Sequence, residues 1–325
     1  MKNTPHIIRI GNTNTDKETC VTSGSYTDMD VFACIHAYMY LKKCVGYMPG
    51  RPNVTVPSLF RNYKLPPTDK FPLRAKEFVI VDLSNPEQID KRIRRENIIK
   101  VYDHREGYER FWHSDVRVIE PVGACATLIY EEFKDKKIPP PAWIANLLYT
   151  AIMENTFCLQ SQNTDPRDRA AVGELEKLIT LPANWIEKYY AGMEEIIRAD
   201  YSAAIRDDLK IMENGWRFGQ LTFYDARNVF TDPVFMNVLN NVMKEYPNWL
   251  LNMPSIKERK NFLATNSVDI QDKLSAAIGA KWGDQIIDQP SSYFTADAHY
   301  TTGMTKPLWL RKEIMRELLN RYNIK

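Results

Sequence analysis

The stretch that most constrains this chain is Ile98-Ile99-Lys100-Val101-Tyr102-Asp103-His104-Arg105. It opens as an apolar, β-branched run, the composition of a strand buried on both faces. It closes in three polar residues of the kind that bind metal and phosphate. Phe78-Val79-Ile80-Val81-Asp82 has the same form, and Pro86 between them opens a helix predicted to reach about Arg94. Two apolar runs, each ending in aspartate and joined by a helix, predict a βαβ unit with its acidic residues at one sheet edge. Open α/β sheets bind ligands at that carboxyl edge. An isolated Asp-His after a strand is as readily a turn closed by a local hydrogen bond. The repetition is what points to a site.

Upstream, Cys20-Val21-Thr22 is a short strand, and residues 31–41 read as a buried helix. Asp28 and Asp30 stand at that helix's start, in Ser23-Gly24-Ser25-Tyr26-Thr27-Asp28-Met29-Asp30. Carboxylates there suit the helix dipole and cap its amides. Two carboxylates two residues apart can equally reach two neighbouring metal ions. Both readings stand at this point. His36, inside the apolar run, reads as a packed helix histidine. Residues 6–10 suggest an edge strand, residues 11–19 a loop, and residues 49–73 an irregular connection.

Downstream, residues 116–119 form another strand, and Glu120-Pro121-Val122-Gly123-Ala124-Cys125-Ala126-Thr127 leads into a helix over 128–133. Gly123 allows a ligand's close approach or a tight entry into that helix. Residues 143–157 read as a long apolar helix carrying Glu154 and Asn155 near its end, and residues 167–178 as a further helix. Residues 181–200 read as a junction. Beyond it the character changes. Helical patterns over 203–212, 234–244, 270–278 and 310–319 mix with strand patterns over 216–223, 249–253 and 262–270. The expectation is a parallel α/β domain over residues 1–195 and a smaller mixed α+β domain over 200–325, with the active site in the cleft between them.

The formal charge of +2, with scattered basic residues, argues against a dedicated nucleic-acid surface or a polybasic membrane patch. Five cysteines without a C-x-x-C pair read as reduced thiols in a cytoplasmic protein. Met1 to His6 has no apolar signal core, and no long apolar span follows, so no membrane partner is expected.

Taken in order, these segments resemble the DHH phosphoesterase superfamily, in the branch with the DHHA2 C-terminal domain. That branch includes the family II manganese-dependent inorganic pyrophosphatases, cytosolic exopolyphosphatases and prune proteins. Asp28-Met29-Asp30 is similar to its first motif, Val81-Asp82 to the second and Asp103-His104-Arg105 to the third. Ala151-Ile152-Met153-Glu154-Asn155-Thr156 falls where the fourth lies. In the second half, Asp208-Leu209-Lys210 and Arg311-Lys312 resemble that branch's phosphate-binding lysine and Arg-Lys pair.

The resemblance implies an enzyme that hydrolyses phosphoanhydrides, pyrophosphate or short-chain polyphosphate, with a metal-activated water. In that reading Asp82 bridges two divalent ions, Mn²⁺ or Mg²⁺. Asp28 holds one, while Asp30, His104 and Asn155 hold the other. Arg105, Lys210, Arg311 and Lys312 bind the substrate phosphates, and Asp82, His104 and Arg105 are the catalytic set. A small phosphorylated substrate is the expected partner, and a homodimer stays open.

Three positions depart from the pattern. Gly24 stands where the pyrophosphatases have a histidine ligand, Arg105 replaces the second histidine of the third motif, and Asn155 replaces a metal-binding aspartate. Arginine can grip a phosphoryl oxygen but cannot shuttle a proton. Two other functions therefore stay in play. One is a phosphodiesterase acting on short oligonucleotides or cyclic dinucleotides. The other is a degenerate protein that binds a phosphorylated ligand or a partner without turnover.

Overall fold

Two apolar runs that end in aspartate can lie side by side only if a connection carries the chain back between them, and a parallel sheet is the result. The computed structural model describes residues 18–61, 67–212, 215–283 and 301–322; the expected strand over 6–10 and nearly all of the loop over 11–19 lie outside these. The chain divides into two compact units, residues 1–159 with 163–183, and residues 160–162 with 184–325.

The first unit runs β1 (Thr19–Thr22), α1 (Met29–Lys42), β2 (Val45–Tyr47), α2 (Ser58–Arg61), β3 (Glu77–Val81), β4 (Ile98–Asp103), β5 (Arg117–Ile119), α3 (Cys125–Asp135), α4 (Ala142–Asn155) and α5 (Pro166–Leu175). The strands form one parallel sheet in the order β2-β1-β3-β4-β5. After β1 the chain goes to one side to make β2, then returns to the other side to make β3. The crevice between β1 and β3 is thus the switch point of the sheet, where an open α/β sheet leaves room for a ligand beyond its carboxyl ends. Val81 pairs with Tyr102, so the chain leaves β3 at Asp82 level with Asp103 on β4.

The connection from β3 to β4 corrects the sequence reading. It holds no α-helix, only single 3-10 turns at Pro86–Gln88 and Arg95–Asn97. Asn85 accepts from the Glu87 amide, and Asp90 accepts from the Arg92 amide and its Nε. Such short-range bonds compete with helix hydrogen bonds and hold the chain in turns. Ile89 and Ile93 still cover one sheet face, packing with Phe78, Ile80, Val101 and Trp112. Helix α1 is buried almost all round and packs on α3, α4, β1 and β3, which explains its unbroken apolar character. His36 is packed inside it, its Nδ1 2.7 Å from the Phe32 carbonyl.

The second unit runs α6 (Trp185–Ala199), α7 (Tyr201–Asp208), β6 (Lys210–Ile211), β7 (Arg217–Gln220), α8 (Ala226–Phe230), α9 (Pro233–Met243), β8 (Trp249–Ser255), β9 (Lys260–Thr265), α10 (Val268–Ile278), β10 (Lys281–Trp282), β11 (Thr301–Thr305) and α11 (Arg311–Tyr322). Its sheet is mixed, in the order β10-β11-β9-β8-β7-β6, with β7 and β8 parallel and the other neighbours antiparallel. Two readings are corrected here. The junction expected over 181–200 is largely α6, whose Trp185, Tyr189, Tyr190, Met193 and Ile197 make one buried face at helical spacing. Lys210 lies on strand β6, because α7 ends at Asp208. Among the described residues no helix is long and apolar enough to cross a membrane.

Candidate metal centre

Three side chains meet at the carboxyl edge of the first sheet. Asp30 comes from the first turn of α1, Asp82 from the end of β3, and His104 from the loop after β4. Each offers one ligand atom, and the three atoms lie within 4.8 Å of one another. His104 Nε2 is 3.3 Å from Asp82 Oδ1 and 4.0 Å from Asp30 Oδ2. All three residues are buried.

The local chain dictates each position. Asp30 reaches from α1 to the start of α3, where its two oxygens each accept an amide at 2.8 Å, from Cys125 and Ala126. It therefore ties two helix N-termini together while facing the cluster. Asp82 sits at φ +50, a left-handed conformation that a non-glycine residue adopts at a cost of about 1 kcal/mol. That twist ends β3 sharply. His104 is aimed by the chain behind it, because Nδ1 lies 3.2 Å from the Val122 carbonyl. A carbonyl only accepts, so Nδ1 carries a proton, and the ring in its neutral form presents the Nε2 lone pair to the two carboxylates.

The electrostatics are those of a cation site. Desolvation, followed by the charges of Asp82 and Asp28, pushes the Asp30 carboxyl well above the ordinary carboxylate range, against the pull of its two amides. Desolvation and Asp82 likewise raise Asp28, opposed by the Val31 amide, Arg105 and His104. A lone pair facing a carboxylate oxygen at 3.3 Å requires a positive charge between them, a proton or a metal ion. Two carboxylates and an imidazole held at these spacings fit a divalent ion that prefers oxygen.

Asp28 caps α1, its Oδ1 accepting the Val31 amide at 3.0 Å, and it stands outside the close trio. Asp103 Oδ1 accepts the amides of His104 and Arg105 and the Arg105 Nε, so it shapes the turn that presents His104. Arg105 extends Nη2 to Asp82 Oδ1 at 3.0 Å. Burial works against the guanidinium charge, but Asp82 and Asp103 outweigh it and hold its pKa above the usual arginine range. Asn155 is the last residue of α4, its amide nitrogen donating to the Ala151 carbonyl at 3.4 Å.

In the second unit Arg311 opens α11. Its Nη1 bonds Asp208 Oδ2 at 2.6 Å and the Asp208 and Phe218 carbonyls. Lys210 pairs with that same Phe218 on the neighbouring strand, which brings its backbone near Arg311, and Lys312 follows Arg311 in α11.

Among the described residues of the first unit, one buried carboxylate escaped the sequence reading. Asp168 is fully buried and accepts from the Gly123 amide at 2.7 Å, the Asp165 amide at 2.8 Å and the Thr127 hydroxyl at 2.5 Å. Asp165-Pro166-Arg167-Asp168 is a capping box with proline at the first helical position, a signal present in the sequence. It also explains Gly123. A Cβ there would lie 2.4 Å from Thr156 Cγ2 and 2.6 Å from Asp168 Oδ2. What approaches Gly123 closely is protein.

No family model matches the chain. A protein of Lactiplantibacillus plantarum designated a probable manganese-dependent inorganic pyrophosphatase is 34% identical over 102 residues, 31% of this chain and 33% of that one. The protein of the same designation from Streptococcus mutans is 26% identical over 162 residues, 46% of this chain and 52% of that one. That from Clostridium acetobutylicum is 27% identical over 213 residues, 59% of this chain and 67% of that one. The matched stretches thus span from about a third to two thirds of these relatives' lengths. Among solved structures, a Methanococcus jannaschii protein assigned to the family II inorganic pyrophosphatases superposes with a TM-score of 0.63 at 18% identity. That match covers 94% of this chain and 99% of the other. The chain shares that two-domain α/β fold and resembles the manganese-dependent pyrophosphatases in sequence.

Proposed function

We propose that this protein is a metal-dependent hydrolase of phosphoanhydrides, acting on pyrophosphate or short-chain polyphosphate. The observation that carries the reading is the convergence of Asp30, Asp82 and His104 at the switch point of a parallel sheet. The likeness to manganese-dependent inorganic pyrophosphatases supports it.

Asp30, Asp82 and the Nε2 of His104 would hold the ion, and one imidazole among carboxylates suits Mn²⁺ or Mg²⁺ better than zinc. When bound, a divalent ion acidifies water and draws charge from phosphoryl oxygens. The chain's own groups do the rest. The Val122 carbonyl keeps the His104 ring in the tautomer that offers Nε2. The amides of Cys125 and Ala126 hold Asp30 in place so that the cluster needs no rearrangement. Arg105, with 47% of its side chain exposed, offers its outer guanidinium edge to a phosphoryl oxygen and stabilises negative charge there. Asp28 and Asn155 contribute an outer carboxylate and an amide oxygen. Lys210, Arg311 and Lys312 are phosphate-binding residues in this reading, on the strength of their order along the chain and of Lys210 and Arg311 both meeting Phe218.

Phosphate release from pyrophosphate, tripolyphosphate and a dinucleotide, each with Mn²⁺, Mg²⁺ or Co²⁺, tests this. The expected result is release from the two anhydrides that stops with chelator and returns with metal. Metal-loaded, folded protein that hydrolyses none of them would exclude an enzyme of this class.

A further inference from the structure

The cluster carries a fixed positive charge of its own. Arg105 is held in the loop after β4 by three hydrogen bonds and an ion pair. Its Nε donates to Asp103 Oδ1 at 3.1 Å, its own amide donates to the same oxygen at 3.2 Å, and its Nη2 donates to the Asp82 carbonyl and lies 3.0 Å from Asp82 Oδ1. Asp82 Oδ1 is also the oxygen that faces His104 Nε2 at 3.3 Å. One oxygen therefore has both the imidazole and a guanidinium close beside it.

A carboxylate that joins two metal ions must turn a lone pair to each. At Asp82 a cation already sits 3.0 Å from the oxygen that His104 faces, and a guanidinium keeps its charge at every working pH. The surroundings offer little to a second ion. Asp28 has one oxygen committed to the Val31 amide. Gly24 supplies no ligand, and a Cβ placed there would already touch Leu83 Cδ2 at 3.4 Å and the Gln88 carbonyl at 3.5 Å.

We propose that Arg105 takes the place of a second metal ion, so that the centre binds one divalent cation per chain and completes its positive charge with a guanidinium. This rests on the reading of Asp30, Asp82 and His104 as metal ligands. The consequence is a hybrid site. One side of Asp82 exchanges its cation with solution, and the other keeps a cation built into the chain. Arg105 is a charge-supplying residue that touches both Asp82 and the incoming phosphate.

The test is a count of metal on the full-length protein, with no substrate present. Mn²⁺ binding is measured by equilibrium dialysis, and low-temperature electron paramagnetic resonance distinguishes isolated from spin-coupled Mn²⁺. The wild type is expected to bind about one Mn²⁺ per chain, with the hyperfine pattern of an isolated ion. Arg105→Ala, which uncovers Asp82 and Asp28, is expected to approach about two per chain, with a spin-coupled signal. Arg105→Lys, which keeps a cation, should stay near one.

Two ions in the wild type would overturn the proposal and leave the hydrolase reading intact. No ion at all would overturn both. A folded Arg105→Ala protein that still binds a single ion would remove the guanidinium from the account. If that variant does not fold, the wild-type count and Arg105→Lys decide the matter.

Discussion

Asp82 and Asp168 are both buried carboxylates of the first unit, and their surroundings are opposite. Asp168 accepts from two backbone amides and a hydroxyl, all neutral donors from the chain segments it joins. Asp82 sits in a strained backbone conformation, faces an imidazole lone pair and another carboxylate, and is steadied by the half-exposed Arg105. A carboxylate surrounded by donors holds a fold together. Carboxylates and a lone pair facing one another hold a place for a cation. The difference teaches that burial alone does not mark a site. What marks it is a set of acceptors whose natural partner is a positive charge.

Four measurements would break or sharpen the contrast. The largest effect is expected at Asp82. Asp82→Asn should lower the rate by about 10³-fold or more, since a ligand charge is lost where transition-state charge is neutralised. It should leave the thermal midpoint of metal-free protein unchanged or higher, because like-charge repulsion with Asp30 and Asp28 is relieved. A midpoint that drops with little change in rate would make Asp82 a structural residue like Asp168.

Asp168→Ala is the mirror experiment. It orphans two buried donors and a part-buried one and should cost roughly 3 kcal/mol in denaturant unfolding. The rate per folded molecule should stay within a few-fold of wild type. A rate collapse in folded Asp168→Ala would draw Asp168 into the metal centre and erase the distinction.

The two glycines near these carboxylates should differ as their neighbours do. Gly123→Ala forces a methyl into Thr156 and Asp168 and is expected to cost about 1–3 kcal/mol. Gly24→Ala meets only ordinary contacts and should stay within about 0.5 kcal/mol. Equal costs at the two positions would mean that the Asp168 corner is not tightly packed.

The mildest effect is a pH slope. Asp28 and Asp30 have folded pKa values raised above the ordinary 3.8. Above that pH the folded, metal-free chain keeps protons that the unfolded chain has released. Their contribution to stability is therefore most favourable at low pH and is lost as pH climbs from 3.8 towards the raised values. Mn²⁺ needs the deprotonated ligands, so the stabilisation it adds should grow over the same window. Calorimetry of wild type against Asp30→Asn, with and without Mn²⁺, isolates the slope. If the two metal-free proteins show the same pH dependence, Asp30 carries no strained charge.

Much of the first unit was legible in its residues. Continuous β-branched runs that stop at Asp82 and Asp103 announce buried parallel strands and an acidic edge, because hydrophobic continuity and a sudden polar stop are local properties. Asp28 and Asp30 were readable as helix-start residues for the same reason, although both a capping and a ligating role were open. Helix α6 was read as a junction, although Trp185, Tyr189, Tyr190, Met193 and Ile197 recur at helical spacing. The turns between β3 and β4 were not legible, since Asn85 and Asp90 win over helix propensity only through the bonds they make in place.

Tertiary structure alone decided the rest, because it depends on groups far apart in the chain. Asp30 separates from Asp28 by reaching the amides of Cys125 and Ala126, some 95 residues onward. The His104 ring is oriented by a carbonyl at Val122, and Gly123 is required by Asp168, 45 residues away. No local spacing encodes those distances. The order of residues along the chain determined that acidic groups would stand at one sheet edge, and the packing of helices on that sheet determined which groups face each other.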